Sequence, residues 1–255
     1  MQQGADLTGD GDFGMSVGLS DDGLTLVVGA NYNNDAFSQA GQVQVYQFVS
    51  GSWIQLGSDI NGQASGDQCG WSSSINSDGT SIAIGSWQSD VYGTNKGHVR
   101  VFKLITGNWT QVGADIQGEA NSDISGASVS ISDDGLTVAI GANGNDVGGS
   151  QGNNIGHVRV FEFVAGSWVQ KGSDMDGEAI DDHFGYNMEM SGDGSTVVIG
   201  GRRNDGNGSN AGHVRVYKYI TGTWTQLGAD IDGEAAGDYF GTDVDISDDG
   251  LTIIA

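Results

Sequence analysis

The sequence predicts an all-β fold assembled from copies of one four-stranded unit, and three observations lead to this prediction. A short marker, in which glycine follows an aromatic or small residue, recurs at a nearly constant spacing. Glycine is abundant and proline is absent, with 45 and 0 copies in 255 residues, which suits short strands joined by tight turns. No long stretch shows the hydrophobic period of a helix. Repetition at this interval is typical of propellers and solenoids.

The marker sets the boundaries of the units. It begins at Phe13, Cys69, Ser125, Phe184 and Phe240, at spacings of 56, 56, 59 and 56 residues. The four complete units therefore cover residues 13–68, 69–124, 125–183 and 184–239. Residues 240–255 begin a fifth unit, and residues 1–12 match the end of a unit. Together they predict one domain over residues 1–255.

Each unit divides into four segments with the patterns of short strands, here taken from the third unit. Residues 128–131 alternate small polar and apolar side chains, and they end at the turn Asp134-Gly135. Asp-Gly between two strand-like runs is a strong hairpin signal, because glycine accepts a positive φ. Residues 137–141 are apolar throughout, residues 156–161 alternate again, and the fourth segment begins at Trp168. We expect the recurring tryptophan to pack between neighbouring units.

Four-stranded units repeated around an axis form the blades of a β-propeller. The count predicts five blades, with the fifth split between residues 2–7 and residues 241–255. This composite blade lacks the third-strand segment of the other units. Either the ring is closed by a three-stranded blade, or the chain is a piece of a larger propeller. The unpaired edge predicted there would also allow self-association through the incomplete fifth blade.

The repeat pattern also resembles a known family. The segment F-G-x-S-V-x-x-S-x-D-G-x-T-x-x-I-G-A, followed by N-D and G-H-V-R-V-Y, is similar to the FG-GAP-type repeats of bacterial and algal surface proteins. That group is distantly similar to the integrin α-subunit propeller. The resemblance covers nearly the whole chain and implies a propeller fold. The first hairpin reads only S-D-D-G or shorter, so the D-x-D-x-D-G calcium loop of integrin-like repeats is not implied here.

Charge restricts the partners. Acidic residues outnumber basic residues 33 to 9, and the formal net charge is -24. Such a field repels phosphate backbones and anionic lipids, so we expect no nucleic-acid partner. No run approaches the roughly 20 apolar residues that cross a bilayer, so we expect no membrane insertion. Proteins, neutral glycans and cations remain as partners, and residues 1–6 lack the basic and apolar regions of a signal peptide.

Carboxylates at two places are candidate calcium ligands, since calcium takes six to eight oxygen ligands in flexible geometry. One set lies in the loops after the second strands and comprises Asp35, Asp90, Asp146 and Asp205. The other set lies on the innermost strands, where acids replace the serine or glycine of other units: Glu189, Asp243 and Asp245. The alternatives are that the loop aspartates cap their own turns and that the channel is a solvated space that tolerates acids.

Residues that interrupt the repeat are candidate ligand-binding residues. Arg202 and Arg203 form the one paired basic motif, which could bind an anionic sugar or pair with nearby acids. The aromatic candidates in the loops are Tyr32, Trp87 and Tyr92. His98, His157 and His213 recur at one position, which predicts structural hydrogen bonds. The sequence contains no motif of a nucleophile with its base, a phosphate loop or a zinc cluster, so no catalytic residues are predicted.

These observations favour a non-enzymatic module of an exported or cell-surface protein, with a structural, adhesive or protein-binding role. Uniform repetition of polar loops on rigid blades suits recognition. One alternative is a glycan-binding lectin with a site on each blade. Another is an enzyme with its site at the channel mouth, around Glu189, Asp243 and Asp245. The expected location is extracellular or at the cell surface.

Overall fold

The computed structural model describes residues 2–148 and 151–255, and it confirms the all-β prediction. Its strands form four five-stranded antiparallel sheets and one two-stranded sheet, with no helix in the described residues. The first strands of neighbouring sheets contact one another in sequence around a common centre. The architecture is therefore a β-propeller, and each repeat unit forms one blade. No helix in this part of the chain has the length and apolar character needed to cross a membrane.

The first two blades correspond to the first two units. The first blade consists of β1 (Val17–Leu19), β2 (Thr25–Ala30), β3 (Gln42–Val49), β4 (Ser52–Gln55) and β5 (Ile60–Asn61). The second blade consists of β6 (Ser72–Ile75), β7 (Ser81–Ser86), β8 (His98–Ile105), β9 (Asn108–Gln111) and β10 (Ile116–Gln117). In both blades the last two strands share the outer edge of the third strand.

The remaining blades repeat this order. The third consists of β11 (Ser128–Ile131), β12 (Thr137–Ala142), β13 (His157–Val164), β14 (Ser167–Gln170) and β15 (Met175–Asp176). The fourth consists of β16 (Phe184–Met190), β17 (Thr196–Gly201), β18 (His213–Ile220), β19 (Thr223–Gln226) and β20 (Ile231–Asp232). The fifth has β21 (Asp245–Ile246) and β22 (Ile253–Ile254).

The predicted Asp-Gly turns join the first and second strands. In the third blade Asp134 accepts hydrogen bonds from the Ser132 hydroxyl at 2.7 Å and from the Leu136 backbone N–H at 2.8 Å. Gly135 follows with a φ of 69°, a conformation that glycine adopts without steric cost. The side chains thus satisfy backbone groups that the tight turn leaves without a strand partner.

Blades approach closely at a glycine that recurs in the second strands of the first four blades, at Gly29, Gly85, Gly141 and Gly200. A Cβ at Gly141 would lie 2.2 Å from the carbonyl oxygen of Gly185 in the next blade. The Ser128 hydroxyl donates a hydrogen bond to the same oxygen at 3.0 Å. Small residues at these two positions therefore permit the blades to pack side by side.

The hydrophobic core lies between the blades. Between the second and third blades, Val101 and Ile116 pack with Val129, Ile140 and Phe161. Similar buried clusters occur at the other three junctions. The blades therefore depend on their neighbours for burial, as in other repeat proteins.

The two chain ends do not form a joint blade in the described residues. No strand is assigned in residues 2–12, and β21 and β22 pair only with each other. The N-terminal segment instead lies on the first blade, where the Trp53 indole donates a hydrogen bond to the Gln3 carbonyl at 3.2 Å. The contribution of residues 2–7 to a split fifth blade is thus not seen, and closure of the ring by both ends stays a prediction.

Candidate active site in the central channel

The first strands of the blades surround a polar cleft of about 490 Å³ at the centre of the propeller. Its walls come from β1, β6, β11, β16 and β21, because the first strand of each blade is innermost. The three predicted channel acids line this one cleft: Glu189, Asp243 and Asp245. The structure therefore brings Glu189 together with two acids that lie 54 and 56 residues later in the chain.

Glu189 is an acid of the cleft whose pKa is shifted from its ordinary value. Its Oε1 accepts a hydrogen bond of 2.5 Å from the hydroxyl of Ser130, which is fully buried on the neighbouring blade. Burial raises the pKa of Glu189 to about 7, and the negative charges of Asp245 and Asp243 act in the same direction. The hydrogen bond from Ser130 opposes that shift. A carboxyl group with this pKa can both accept and donate a proton near neutral pH.

Ser130 belongs to the repeated framework, whereas Glu189 is specific to the fourth blade. The Ser130 hydroxyl accepts a hydrogen bond from the Met190 N–H at 3.2 Å, and Ser74 accepts one from the Ile131 N–H at the same distance one blade earlier. These contacts join neighbouring first strands. Glu189 replaces the serine at this position of the unit, so its carboxylate enters a site built for a small side chain.

Asp243 and Asp245 are exposed at the cleft. Asp243 accepts a hydrogen bond from the Asn187 side chain at 3.0 Å, and Asp245 accepts one from the Ile246 N–H at 2.8 Å. Asn187 takes the place of the serine that elsewhere joins the first strand to the next blade. In the last two blades Glu189, Asp243 and Asp245 thus replace small residues of the repeat and make the cleft acidic.

Two aromatic side chains stand at the channel mouth. Trp71 and Tyr186 line a cleft of about 470 Å³ together with Glu189 and Asp243. Trp71 stacks on Trp87 with ring centroids 4.0 Å apart, and the Arg202 guanidinium lies 3.6 Å from the Tyr186 ring centroid. Flat aromatic faces beside polar groups are suited to binding a sugar ring.

Sequence reasoning missed Trp71 and Tyr186, although they carry a signal. Both follow the marker glycine, where the other units have Met15, Ala127 and Thr242. Two of the predicted ligand-binding residues, Trp87 and Arg202, support these aromatic faces from the loop after the second strand. The predicted and missed residues thus form matching pairs at the mouth.

The other predicted ligand-binding residues lie outside the two central clefts. Arg203 places Nη1 3.4 Å from Nε2 of His183. The Tyr92 hydroxyl donates to Asp115 at 2.8 Å, and Tyr32 is exposed on its loop. The structure does not bring these three side chains together with the channel acids.

The loop aspartates mainly cap their own loops. Asp90, Asp146 and Asp205 accept hydrogen bonds of 2.6 to 2.7 Å from backbone N–H groups five to seven residues later. Asp35 accepts hydrogen bonds from the side chains of Asn33 and Gln42. No cluster of three ligating side chains in the described residues includes any of the four, and none includes Glu189, Asp243 or Asp245. The hydrogen bonds of the loop aspartates match the capping alternative rather than a calcium site.

Groups that could hold a metal occur instead between the blades. One comprises Glu119, His157 and Asp174, and the other comprises Glu178, His213 and Asp230. Each includes a buried histidine, a nitrogen ligand that suits transition metals better than calcium. In the second group, Arg215 already binds Asp230 through bonds of 2.7 and 2.9 Å and contacts Glu178.

The recurring histidines lack the structural hydrogen bonds that repetition predicted. Both ring nitrogens of His98 and His213, and Nε2 of His157, are buried without a hydrogen-bond partner in the described structure. Burial lowers the pKa of all three rings. The lowered pKa values keep these three rings neutral near neutral pH.

Comparison with known proteins gives structural matches alone. No protein-family model matches the chain, and no curated protein matches it by sequence. A periplasmic gluconolactonase of Pseudomonas aeruginosa matches with a TM-score of 0.59 and 18% identity, over 93% of this chain and 63% of that protein. Hydrazine synthase of Kuenenia stuttgartiensis matches with a TM-score of 0.59 and 16% identity, over 99% and 58%. A proposed 6-phosphogluconolactonase of Bacteroides uniformis matches with a TM-score of 0.58 and 14% identity, over 94% and 63%.

These matches support the propeller fold and correct the predicted function. The chain spans about three fifths of the length of each of these structures. Two of the three are named as gluconolactonases, which are enzymes, and this finding contradicts the prediction of a non-enzymatic adhesive or protein-binding module. At such low identity the likeness establishes the fold alone. The resemblance to FG-GAP repeats is untested by these matches and stays a prediction.

Proposed function

We propose that the chain forms a hydrolase of the lactonase type, which opens a neutral sugar lactone at the mouth of the central channel. The observation that carries this proposal is Glu189, whose pKa is about 7 and whose carboxyl group is held by Ser130 at a cleft of about 490 Å³. Perturbed acids in clefts are typical of catalytic sites. The names of two structural neighbours support the same reaction class.

Lactone hydrolysis requires a proton to move from the attacking water to the ring oxygen that leaves the carbonyl carbon. Deprotonated Glu189 would accept the proton as the water oxygen forms its bond to the carbonyl carbon. Protonated Glu189 would then donate that proton to the ring oxygen as the bond between the carbonyl carbon and the ring oxygen breaks. The product is the open hydroxy acid, and the enzyme returns to its starting state. A pKa near the working pH serves both steps.

The aromatic mouth would orient the substrate. Trp71 and Tyr186 offer ring faces on either side of the third blade, next to Glu189 and Asp243. A pyranose ring has apolar faces and polar edges, so it can stack on an aromatic face while its hydroxyl groups bond to carboxylates. The net charge of -24 disfavours a phosphorylated or otherwise anionic sugar. A neutral lactone therefore fits this site better than a phosphorylated one.

We also propose calcium as a cofactor, held by Asp243 and Asp245. Among the described residues that line the 490 Å³ cleft, the polar side chains offer only oxygen atoms, which suit calcium. Asn187 bonds one oxygen of Asp243 and the Ile246 N–H bonds one oxygen of Asp245, which leaves the second oxygens free of hydrogen bonds in the described structure. When bound, the ion would supply positive charge for the lactone carbonyl oxygen.

The proposed location is outside the cytoplasm. The Pseudomonas aeruginosa neighbour is a periplasmic protein, and a strongly acidic surface suits an extracytoplasmic setting. Fractionation of cells that express the native gene, with activity assayed in each fraction, tests this proposal. Activity confined to the cytoplasm would contradict it.

The test of the proposed activity compares three proteins on one substrate, D-glucono-1,5-lactone, by pH-stat titration with the spontaneous rate subtracted. We expect the wild type to accelerate opening. We expect Glu189→Gln to lose about 10²-fold or more of that acceleration, the usual contribution of a general base. Glu162→Gln changes an exposed glutamate on β13 and should keep the wild-type rate. No acceleration by the wild type on neutral lactones, or equal rates in both variants, would overturn the proposal.

A further inference from the structure

The fourth-strand tryptophans occupy a repeated socket on the preceding blade. In each case the indole ring lies directly over a glycine of that blade. A Cβ added to this glycine would be only 2.7 to 2.9 Å from the Cδ1 atom of Trp109, Trp168 or Trp224. Each indole Nε1 also donates to the carbonyl just before that glycine, at 2.6 to 2.9 Å. Trp53 uses Gln3 and Gly4 in the same way. The glycine and the preceding carbonyl define the socket.

A fifth socket is formed and empty at Leu227 and Gly228. Gly228 has a φ of 77°, within the 74° to 82° of the glycines in the filled sockets. The Leu227 N–H bonds to the Val216 carbonyl at 2.7 Å, as the Leu56 N–H bonds to Val45 in the first blade. Yet, its two chain neighbours aside, no atom of the described residues lies within 4 Å of a Cβ at Gly228. The blade therefore presents the acceptor and the space for an indole ring that is missing.

The surroundings of this socket are apolar and exposed. Ile231 is 44% exposed, whereas its counterpart Ile116 is 5% exposed. Ile254 on β22 is 68% exposed, whereas its counterpart Val198 on β17 is fully buried. Ile231 and Ile254 are exposed where their counterparts are buried. They therefore mark the surface that a further pair of strands would cover.

The neighbouring strand edge is open as well. β17 pairs with β16 on one side and with β18 on the other. Its counterpart β22 pairs with β21 and has no second partner in the described residues. The unpaired backbone groups of such an edge can accept an added strand.

Charge defines the added strand further. Glu119 lies 3.6 Å from Arg159 of the next blade, and Glu178 contacts Arg215 of the next blade. Glu234 is the counterpart of these glutamates, and it is exposed with no ion pair in the described part of the chain. A third strand with arginine at the matching position would therefore be attracted to Glu234.

We propose that the edge of β22, the Leu227–Gly228 socket and Glu234 together bind a β-hairpin of the same repeat type. Its first strand would pair with β22 and set an arginine against Glu234, and its second strand would insert a tryptophan into the socket. A single hairpin can pair with the strand edge, fill the socket and contact the glutamate, because β18 and β19 do all three in the fourth blade. Edge-to-edge pairing of two copies would satisfy β22 alone and leave the socket empty.

The test uses a synthetic peptide with the sequence of residues 211–226, which contains β18 and β19, titrated against the whole chain. We expect one peptide to bind per chain and to raise the thermal midpoint by about 5 °C or more when its concentration is a hundred times Kd. A peptide with Trp224→Ala should bind about 30-fold more weakly, as expected for a buried anchor. Hydrogen exchange at residues 252–255 should slow when the hairpin is bound.

Two matched glycine-to-alanine variants distinguish an effect on the socket from the backbone strain of an alanine at positive φ. Gly228→Ala and Gly237→Ala both place an alanine at a positive φ with open space around it, but only the former lies in the socket. We expect Gly228→Ala to weaken peptide binding at least tenfold and Gly237→Ala to leave it unchanged. Absence of binding, equal affinity of the Trp224→Ala peptide, or a chain dimer that forms at β22 and ignores the peptide would overturn the proposal.

Discussion

At the scale of single residues, Glu189 is the group whose chemistry departs most from the repeat. Its pKa of about 7 results mainly from burial, with a smaller contribution from Asp245 and Asp243. Burial without full compensation is costly, and such sites persist where they serve function. This one carboxyl group should affect both the pH dependence of activity and the pH dependence of stability.

The first concerns the pH dependence of activity. If the carboxylate form of Glu189 accepts the proton from water, kcat/KM should fall as pH decreases through about 7. Ser130→Ala removes a hydrogen bond that lowers this pKa, so the acidic limb of the profile should move to higher pH. The measurement is kcat/KM from pH 5 to 9, corrected for spontaneous hydrolysis. A limb that stays in place in Ser130→Ala would show that another group titrates.

The second concerns stability. Because the folded pKa of Glu189 is raised from 4.5 to about 7, the folded state binds more protons than the unfolded state between these values. Its contribution to stability is complete below pH 4.5 and is lost as pH rises through 7. Glu189→Gln should therefore be more stable than the wild type at pH 8 by about 1–3 kcal/mol, and the advantage should shrink at pH 5. Thermal unfolding at both pH values tests this, and Glu162→Gln is the control.

At the scale of elements, the second-strand glycines determine how closely blades pack. A Cβ at Gly141 would meet the Gly185 carbonyl oxygen at 2.2 Å. We predict that Gly141→Ala destabilises the protein by about 3 kcal/mol, because backbone must move to relieve the overlap. Gly166→Ala faces open space at a φ of 90° and should cost only about 1 kcal/mol for its backbone conformation. Urea unfolding of both variants checks this difference, and equal losses would contradict it.

The elements were also the part of the structure most accessible from sequence. Asp134-Gly135 predicts its hairpin because one turn type suits that dipeptide, and Trp168 predicts a packing position because every unit needs the same filler. The channel mouth was harder to predict. Trp71 and Tyr186 line one cleft with Glu189 only because the blades pack around the channel. The sequence of a single unit does not indicate which residues of other units lie nearby. Similarly, the caps formed by Asp90 and Asp146 depend on loop conformation rather than on residue type.

At the scale of the whole molecule, charge is the dominant feature. A formal net charge of -24 gives a negative field that raises the energy of an anionic substrate near the channel. We predict that a 6-phosphorylated lactone has a higher KM than the neutral lactone. The gap should narrow as sodium chloride increases from about 10 mM to about 1 M, since the screening length falls from about 30 Å to about 3 Å. KM for both lactones should be measured at both salt concentrations. A difference in KM that does not change with salt would contradict an effect of the protein's negative charge.

A propeller supports many functions, so its fold cannot by itself assign this one. The assignment depends on the blades in which the repeat is broken. Uniform units supply a rigid ring of first strands, and the substitutions at Glu189, Asp243 and Asp245 supply its chemistry. The same comparison of matching positions identified the empty socket at Gly228.

The most direct measurement is a crystal structure of Glu189→Gln soaked with D-glucono-1,5-lactone. The proposed mechanism predicts the sugar ring on the face of Trp71 or Tyr186, with the lactone carbonyl carbon and an attacking water within about 3–3.5 Å of each other. The water should also lie within hydrogen-bond reach of residue 189. A lactone bound away from the channel, or bound there with its carbonyl turned from residue 189, would contradict the account.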